Sequence, residues 1–444
     1  MRNGNTGIAA EKPDFALRWL AVLAAASPFV STDPAPFDIL AFLVILALGA
    51  RLLQPGNKTI NAFSLVHIFF VAIAVSVFVM RGASLGGFQL KYLVTQIYLT
   101  FLFAVLHAVF SKSRQSLIVF AGFWTAAAIV QSVVVILLDQ IGGFPIIYRD
   151  EAAYRLRGFF QDPNVLGPFL VFPMAYLVSA ARVPFVQRLV GIGILALLLL
   201  LTYSRAAWGG ALVAMMIAIP MSGLLLAPRR ALGLATVGVG VMVMAVIGAV
   251  IADGGSALQD RLQFQDYDTG RLEHLVLALL EGWTNPFGLG PGAFLIDHET
   301  SPHNLFLGRL TDAGYVPTLL TIAVFIFAIG QSFRVALRER SGLAVAVFAA
   351  LMAHLVISGV INSHHWRHLI VLLAMGIALG SPFAKPAPET RKRQQAPTMP
   401  RWRMREVAMA TDTQARDPKP RSFREINPYR NQWANSTPNL PTGR

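Results

Sequence analysis

The sequence predicts an all-α protein that crosses a membrane many times, and three observations lead there. Of the 444 residues, 55% are hydrophobic and only 14% are charged, against about 25% charged in a typical soluble chain. Apolar runs of roughly 18–22 residues recur, each long enough to cross about 30 Å of hydrocarbon as a helix. The alternating pattern of a β-barrel is absent, and an open sheet would leave backbone groups unsatisfied in lipid.

These runs place about twelve spans, near residues 14–31, 36–53, 61–80, 90–110, 116–138, 164–181, 188–203, 206–226, 231–252, 303–330, 342–361 and 366–383. At the start, Arg2, Lys12 and Arg18 lead into an apolar run ending near Val30. Ala24-Ala25-Ala26 imitates a signal-peptide cleavage site. An uncleaved first span is the reading kept, because it closes the topology with an even number of crossings.

The seventh and eighth spans need an argument. Apolar sequence runs from Leu189 to Leu226, broken only at Thr202-Tyr203-Ser204-Arg205. As one helix it would be roughly 57 Å long, about twice the hydrocarbon thickness. Arg182 and Arg188 flank one end, and Arg229 and Arg230 the other. Both flanks prefer the cytoplasm, so the chain goes out and returns, turning at Ser204-Arg205 on the outer side.

The same rule orients the other connections. Arg51 and Lys58, Lys112 and Arg114, and Arg334, Arg338 and Arg340 join those flanks on the cytoplasmic side, with both termini. The loops near 139–163 and 253–302 then face outward, with the Ser204 turn, the 362–368 segment and the start of the His303 run. A transmembrane unit over 1–384 results, its outer loop of about 253–302 lying between spans nine and ten. Residues 385–444 are rich in Pro, Arg, Asn and Gln without apolar periodicity, which reads as a disordered basic cytoplasmic tail that meets anionic lipid.

Other classes are narrowed by composition. There is no cysteine, so disulfides, thiolate metal sites and cysteine nucleophiles are excluded. The net charge of +14 sits in loops and the tail rather than on a folded soluble surface, so no nucleic-acid partner is expected.

Five outward-facing stretches carry candidate chemistry. In RLRGFFQDPNVLG (155–167), Asp162 can cap a helix starting at Pro163, with Asn164 inside it. Arg155 and Arg157 precede that N-terminus, a combination that suits an anion. In LTYSRAAWGG (201–210), Arg205 lies in a tight turn at the membrane edge, where the bland alternative is snorkelling to lipid phosphates. In the outer loop, Arg271 follows Thr269-Gly270 and begins a short amphipathic helix. The glycines of NPFGLGPGAF (285–294) resemble a phosphate cradle, but no Lys-Ser/Thr follows and no strand precedes, so a nucleotide loop is not expected. In SPHNLFLGRLTDAGY (301–315), Ser301 is an N-cap candidate, Pro302 a first helical residue, and His303 a first-turn residue whose imidazole the helix dipole keeps neutral. A neutral imidazole can act as general base; the bland alternative is a hydrogen-bonded interfacial histidine. Arg309 and Asp312 are spaced to pair.

The segment INSHHWRH (361–368) sets His364 and His368 four residues apart, a metal-ligand spacing. No carboxylate lies nearby in sequence, so interfacial packing around Trp366 is the simpler reading and no metal is expected. His67, His107 and His354 fall within spans and read as packing or hydrogen-bonded residues.

Taken together, RLRGFFQDPNVLG, TYSRAAW, TGRLEHL, NPFGLGPGAF and SPHNLFLGRLTDAG, in that order over about residues 150–320, resemble the O-antigen ligase and O-antigen polymerase superfamily of bacterial membrane glycosyltransferases. The His-Asn pair at His303 and Asn304, followed by a leucine pattern and Gly314, is the most specific part. The resemblance implies a GT-C-like helical fold in the bacterial inner membrane with a periplasmic active site. It implies metal-independent, inverting transfer without a cofactor, from an undecaprenyl-diphosphate-linked glycan. On it, His303 corresponds to the base that activates the acceptor hydroxyl, and Arg205 and Arg271 to arginines holding the leaving diphosphate. Arg157 and Asn164 match a less certain part of the site, with Arg155 and Asn304 as secondary candidates. His274 departs from the aromatic residue that often follows the Gly-Arg step.

Within the superfamily, a polymerase of lipid-linked repeat units is the favoured expectation, building exopolysaccharide, capsule or O-antigen, with chain-length or export proteins as partners. A ligase acting on lipid A-core and a protein glycosyltransferase are the alternatives. From another class, a polyprenol-glycan flippase would also carry many spans and intramembrane charges, but no repeated halves are visible in the sequence.

Overall fold

Helices make up 81% of the described residues, and no strand forms among them. The structure, a computed structural model, describes residues 15–49, 58–80, 87–142, 144–147, 155–179, 183–225, 263 and 266–381. The ninth expected span (231–252), the start of the outer loop and the tail expected at 385–444 lie outside the described residues. Fourteen α-helices are described: α1 (Phe15–Ala25), α2 (Pro36–Leu48), α3 (Lys58–Met80), α4 (Gly87–Phe110), α5 (Arg114–Ile141), α6 (Pro163–Ser179), α7 (Phe185–Leu201), α8 (Arg205–Leu225), α9 (Asp266–Thr284), α10 (Ala293–His298), α11 (Leu305–Ala313), α12 (Tyr315–Glu339), α13 (Gly342–Ser358) and α14 (Arg367–Leu379).

Among the described residues, four helical segments are long and apolar enough to cross a membrane: Gln89–Phe110, Arg114–Ile141, Arg205–Leu224 and Tyr315–Glu339. Seven further apolar helices are shorter, at 10–17 residues. Large apolar side chains stand exposed along these helices, among them Phe42, Leu46, Phe69, Val130, Met216, Leu319 and Ile326. Such a surface is what a lipid-facing bundle presents and what water disfavours.

The centre of the bundle is built from small residues. Helix α13 packs most extensively on α8 and α6, and Ala344, Ala346, Ala349, Ala350 and Ala353 along it are fully buried. A Cβ on Gly210 of α8 would run into Ile357, and one on Gly167 of α6 into Ala207. Between apolar helices in lipid, close backbone approach and dispersion contacts replace the hydrophobic effect as the source of association. Beside this seam Trp124 lies 4.6 Å from the ring of Phe172 and 5.6 Å from Phe169.

The turn expected between the seventh and eighth spans is present: α7 ends at Leu201, Tyr203 takes a positive φ of 49°, and α8 starts at Arg205. The cap expected at Asp162 is also present, with Asp162 Oδ1 accepting the Asn164 N–H at 2.8 Å.

The run 303–330 differs from expectation. It is two helices, α11 and α12, broken at Gly314 with φ 82°. A Cβ on Gly314 would collide with the carbonyl oxygen of Pro286, so only glycine lets the loop 285–292 dock there. That loop spends its N–H groups on the break: Leu289 donates to the Thr311 carbonyl at 2.6 Å, and Gly292 to Asp312 Oδ1 at 3.0 Å. The glycine-rich stretch is thus a brace for α11. The N-cap of α11 is Asn304, whose side chain accepts from Phe306 and Leu307 N–H at 2.8 and 3.0 Å. Ser301 and Pro302 belong to the approach rather than the helix, because Asn304 has the extended backbone and side-chain reach of a cap.

Candidate functional site

His303 sits one residue before that cap, outside the helix, with φ 47°. A positive φ on a non-glycine residue marks a place where the surroundings impose the conformation. The side chain is half-buried, and burial lowers its pKa below the ordinary 6.5, helped by the nearby charges of Arg271 and His274. The imidazole is therefore neutral at neutral pH. This is the state expected from the sequence, with burial rather than the helix dipole as its main cause.

Arg271 and His274 belong to α9, which starts five residues before Arg271 and runs well past the short helix expected there. His274 donates from Nδ1 to the Gly270 carbonyl at 2.6 Å and packs edge-on against Phe294, ring centres 6.3 Å apart. One turn earlier, Asp268 takes Arg205 from the start of α8: Arg205 Nη2 to Asp268 Oδ1 is 2.5 Å, and Nη1 donates to the Gln263 carbonyl at 3.3 Å. Helix α9 is the element that draws the site together. One end holds Arg205, while Arg271 and His274 lie beside His303.

Arg155 flanks the same α7–α8 turn. Its Nε donates to the Thr202 carbonyl at 3.1 Å and its Nη2 to Asn164 Oδ1 at 3.0 Å. Arg155, Asn164 and the Arg205 turn thus form one polar edge. Arg157, expected beside Arg155, points Nε instead at the Ile146 carbonyl at 3.0 Å. The two arginines, two residues apart, thus have different partners.

The direct pairing expected of Arg309 with Asp312 is replaced by a shared partner, the Tyr92 hydroxyl, across which the two charges still attract. Arg309 donates to the Tyr92 hydroxyl at 3.3 Å and to Gln96 Oε1, whereas Asp312 accepts the Gly292 N–H. On a helix these residues are near neighbours, but α4 inserts better-placed acceptors between them.

Sequence reasoning missed a second polar cluster. Arg367 at the start of α14 grips Asp38 of α2 with two parallel bonds, Nε–Oδ1 2.8 Å and Nη2–Oδ2 2.6 Å. Tyr98 also donates to Asp38, at 3.0 Å. Asp33 accepts from Lys91 at 2.6 Å and from Gln161 at 2.8 Å. Burial opposes ionisation of Asp33, yet these hydrogen bonds and the charges of Lys91 and Arg367 outweigh it and lower its pKa. The partners are far apart in the chain, so no local motif announced them. Asp268 was legible in principle, as an acid one helical turn before Arg271.

Asp33, Lys91, Gln161 and Arg367 line a polar cleft of about 330 Å³, with Ser301, Pro302 and Phe294 on another wall. His364 and His365 line it too; burial lowers His365 to about 4, and His364 lies well below 6.5 for the same reason. His364 faces Asn362 and Tyr92, while His368 stacks on Trp366 and meets His354. The two rings whose spacing alone resembled a metal pair thus have different neighbours. No group of three or more His, Cys, Asp or Glu placed to hold a metal occurs among the described residues.

Chemically, the arrangement supplies a neutral imidazole, guanidinium groups on one helix and at its partner turn, and an open cleft beside them. No protein-family model matches the chain, and none of the curated proteins searched matches its sequence.

Proposed function

We propose that the protein is a membrane glycosyltransferase that polymerises polyprenyl-diphosphate-linked oligosaccharide repeat units into a surface polysaccharide. The observation that carries this reading is the meeting of a neutral His303 with Arg271, on the same helix whose Asp268 holds Arg205. His303 takes the proton of an acceptor sugar hydroxyl. The hydroxyl oxygen attacks the anomeric carbon of the donor, and the bond from that carbon to the diphosphate oxygen breaks. The diphosphate leaves with the bonding pair, and inversion follows from attack opposite the leaving group. Guanidinium groups match phosphate oxygens as two-pronged donors and stay charged, so Arg205 and Arg271 stabilise the departing charge where it develops. On this reading Asp268 holds Arg205 in place until the diphosphate arrives. The sequence resemblance to the O-antigen ligase and polymerase superfamily, the exposed apolar helices and the helix-terminal position of the cluster support the same conclusion. They also support an inner-membrane location with the site on the periplasmic side.

The test is a mass profile of polyprenol-linked glycans in cells whose only copy carries His303→Ala. Single repeat units accumulating on the outer leaflet without polymer are the expected result. Long chains stranded on the lipid carrier beside bare lipid A-core would make the protein a ligase. Repeat units held on the inner leaflet would make it a flippase.

A further inference from the structure

Helix α9 is amphipathic with its faces reversed. Leu272, Val276, Leu279, Leu280 and Trp283 are exposed, and their spacing of three and four residues sets them in one stripe along the helix. Phe287, just past its end, is exposed as well. Arg271, His274 and Glu281 lie on the opposite side and turn toward the protein. The first two stand beside His303, and Glu281 meets His298 Nε2 at 2.8 Å. Between them Ala278 is buried, and a Cβ on Gly282 would run into Leu310 of α11. A helix packed on a protein in water turns its apolar stripe inward and its charges outward. Helix α9 does the reverse over 19 residues, and Trp283 is 72% exposed.

The stripe continues beyond the helix. The Trp283 ring packs edge-on against Tyr315, centres 6.1 Å apart, and the Tyr315 hydroxyl donates to the Trp283 carbonyl. Tyr315 opens α12, and Leu319 and Ile326 carry the same exposed line along a helix long and apolar enough to cross a membrane. The apolar face of α9 therefore runs into the apolar face of α12 through a tryptophan–tyrosine pair. Such residues gather where hydrocarbon meets water. Among the described side chains of α9, Glu273 is the single charged one that is exposed. Helical spacing puts it in line with Thr284, at one border of the stripe.

We infer that α9 is an interfacial helix, lying flat on the bilayer with its stripe in the acyl boundary. On the topology expected from the sequence, this is the outer leaflet. The border of Glu273 and Thr284 faces water, and Arg271 and His274 face the bundle. Continuity with α12 and the aromatic pair at the seam favour lipid over a protein partner as the occupant. Helix α9 is also not among the described segments long and apolar enough to cross. A helix with one apolar face and a polar remainder lies on a membrane, sinking about 5–10 Å into it. Since α9 carries Arg271 and holds Arg205 through Asp268, the bilayer surface fixes the height of both guanidinium groups. That placement holds whatever reaction the site performs.

The protein has no cysteine, so the test uses single cysteines carrying a nitroxide: Leu272→Cys, Val276→Cys and Leu280→Cys. Glu273→Cys marks the border and Ile326→Cys the membrane interior. The full-length protein is reconstituted into vesicles of phosphatidylethanolamine and phosphatidylglycerol, and collision with oxygen and with a water-soluble nickel chelate is measured. The three stripe labels are expected to favour oxygen, at one common depth of about 5–10 Å that is shallower than Ile326→Cys, with Glu273→Cys more open to nickel. A nickel preference in the stripe would put this face in water and overturn the inference. Exclusion of both reagents, or dipolar broadening between labels on two molecules, would overturn it in favour of a protein partner or a second copy. Depths spread by about 12 Å from Leu272→Cys to Leu280→Cys, the rise of a helix standing upright, would overturn it in favour of a crossing segment.

Discussion

Two arginines mark the difference between what holds this molecule together and what it leaves open. Arg367 grips Asp38 through both carboxylate oxygens, with Tyr98 on the same carboxylate and Asp33 3.7 Å away. The side chains are 18% and 15% exposed. Arg205 meets Asp268 at 2.5 Å and the Gln263 carbonyl at 3.3 Å, and its side chain is 32% exposed. The first pair is multidentate and shielded, and it ties α14 to α2. In the second the guanidinium is the more exposed partner and Asp268 is 14% exposed, and the pair ties α8 to the helix that carries Arg271. An ion pair shielded from water is expensive to break because either partner alone is left with an uncompensated charge. One at the rim exchanges for another anion at little cost. On the proposed function, the more exposed guanidinium of Arg205 is the one a diphosphate reaches, while Arg367 ties α14 to α2.

The sharpest way to break that assignment is to remove the base beside the accessible arginines. His303→Ala is expected to lower transfer by roughly 10²–10⁴-fold, the usual worth of a general base, while the protein inserts and purifies in wild-type amounts. Wild-type turnover would remove His303 from the chemistry.

Next in size is the structural pair. Asp38→Asn removes the carboxylate that Arg367 grips, leaving only Asp33 at 3.7 Å as counter-charge, and is expected to cost about 3 kcal/mol, the lower end for breaking a shielded pair. Asp268→Asn should cost no more than about 1 kcal/mol. Thermal unfolding of both variants in the same detergent gives the contrast directly, and equal losses would erase the distinction drawn between the two arginines.

Arg205→Lys keeps the charge and loses the planar fork. A loss of about tenfold in kcat/KM is expected, since a point charge does not reproduce two parallel bonds to a phosphate. Full activity would return Arg205 to the role of a snorkelling side chain.

The smallest effect is on pH dependence. Because the folded environment lowers the His303 pKa below 6.5, the imidazole stays unprotonated as pH falls through 6.5. Transfer should then decline only on approaching the lowered value. Arg271→Gln removes a positive neighbour, so His303 gains its proton at a higher pH and the acid limb moves up. Burial is the larger cause, so the limb should remain below 6.5. A limb that does not move would separate Arg271 from His303 electrostatically.

Sequence reading and structure part company at identifiable places. The Asp162 cap and the turn before Arg205 depend on neighbouring residues, and both were legible from residue type and spacing. The break at Gly314 was not: a lone glycine in an apolar run reads as helix until the Pro286 carbonyl is known to occupy the space its Cβ would need. His303 was identified from its place in the motif, yet its environment comes from α9, some thirty positions earlier in the chain. Arg309 and Asp312 looked like partners because helical spacing brings them close, but Tyr92 and Gln96 of α4 lie nearer to Arg309.

Composition, apolar run length and local capping chemistry determined by themselves that the chain is a bundle of apolar helices, and where most of those helices begin. They also determined which polar residues stand at helix edges, since lipid admits few elsewhere. Tertiary structure alone decided which of those residues meet. The Arg205–Asp268 contact, the Arg367–Asp38 clamp and the polar cleft each unite residues from distant helices, and the partner of a charge in a bundle is chosen by packing geometry rather than by neighbours in sequence.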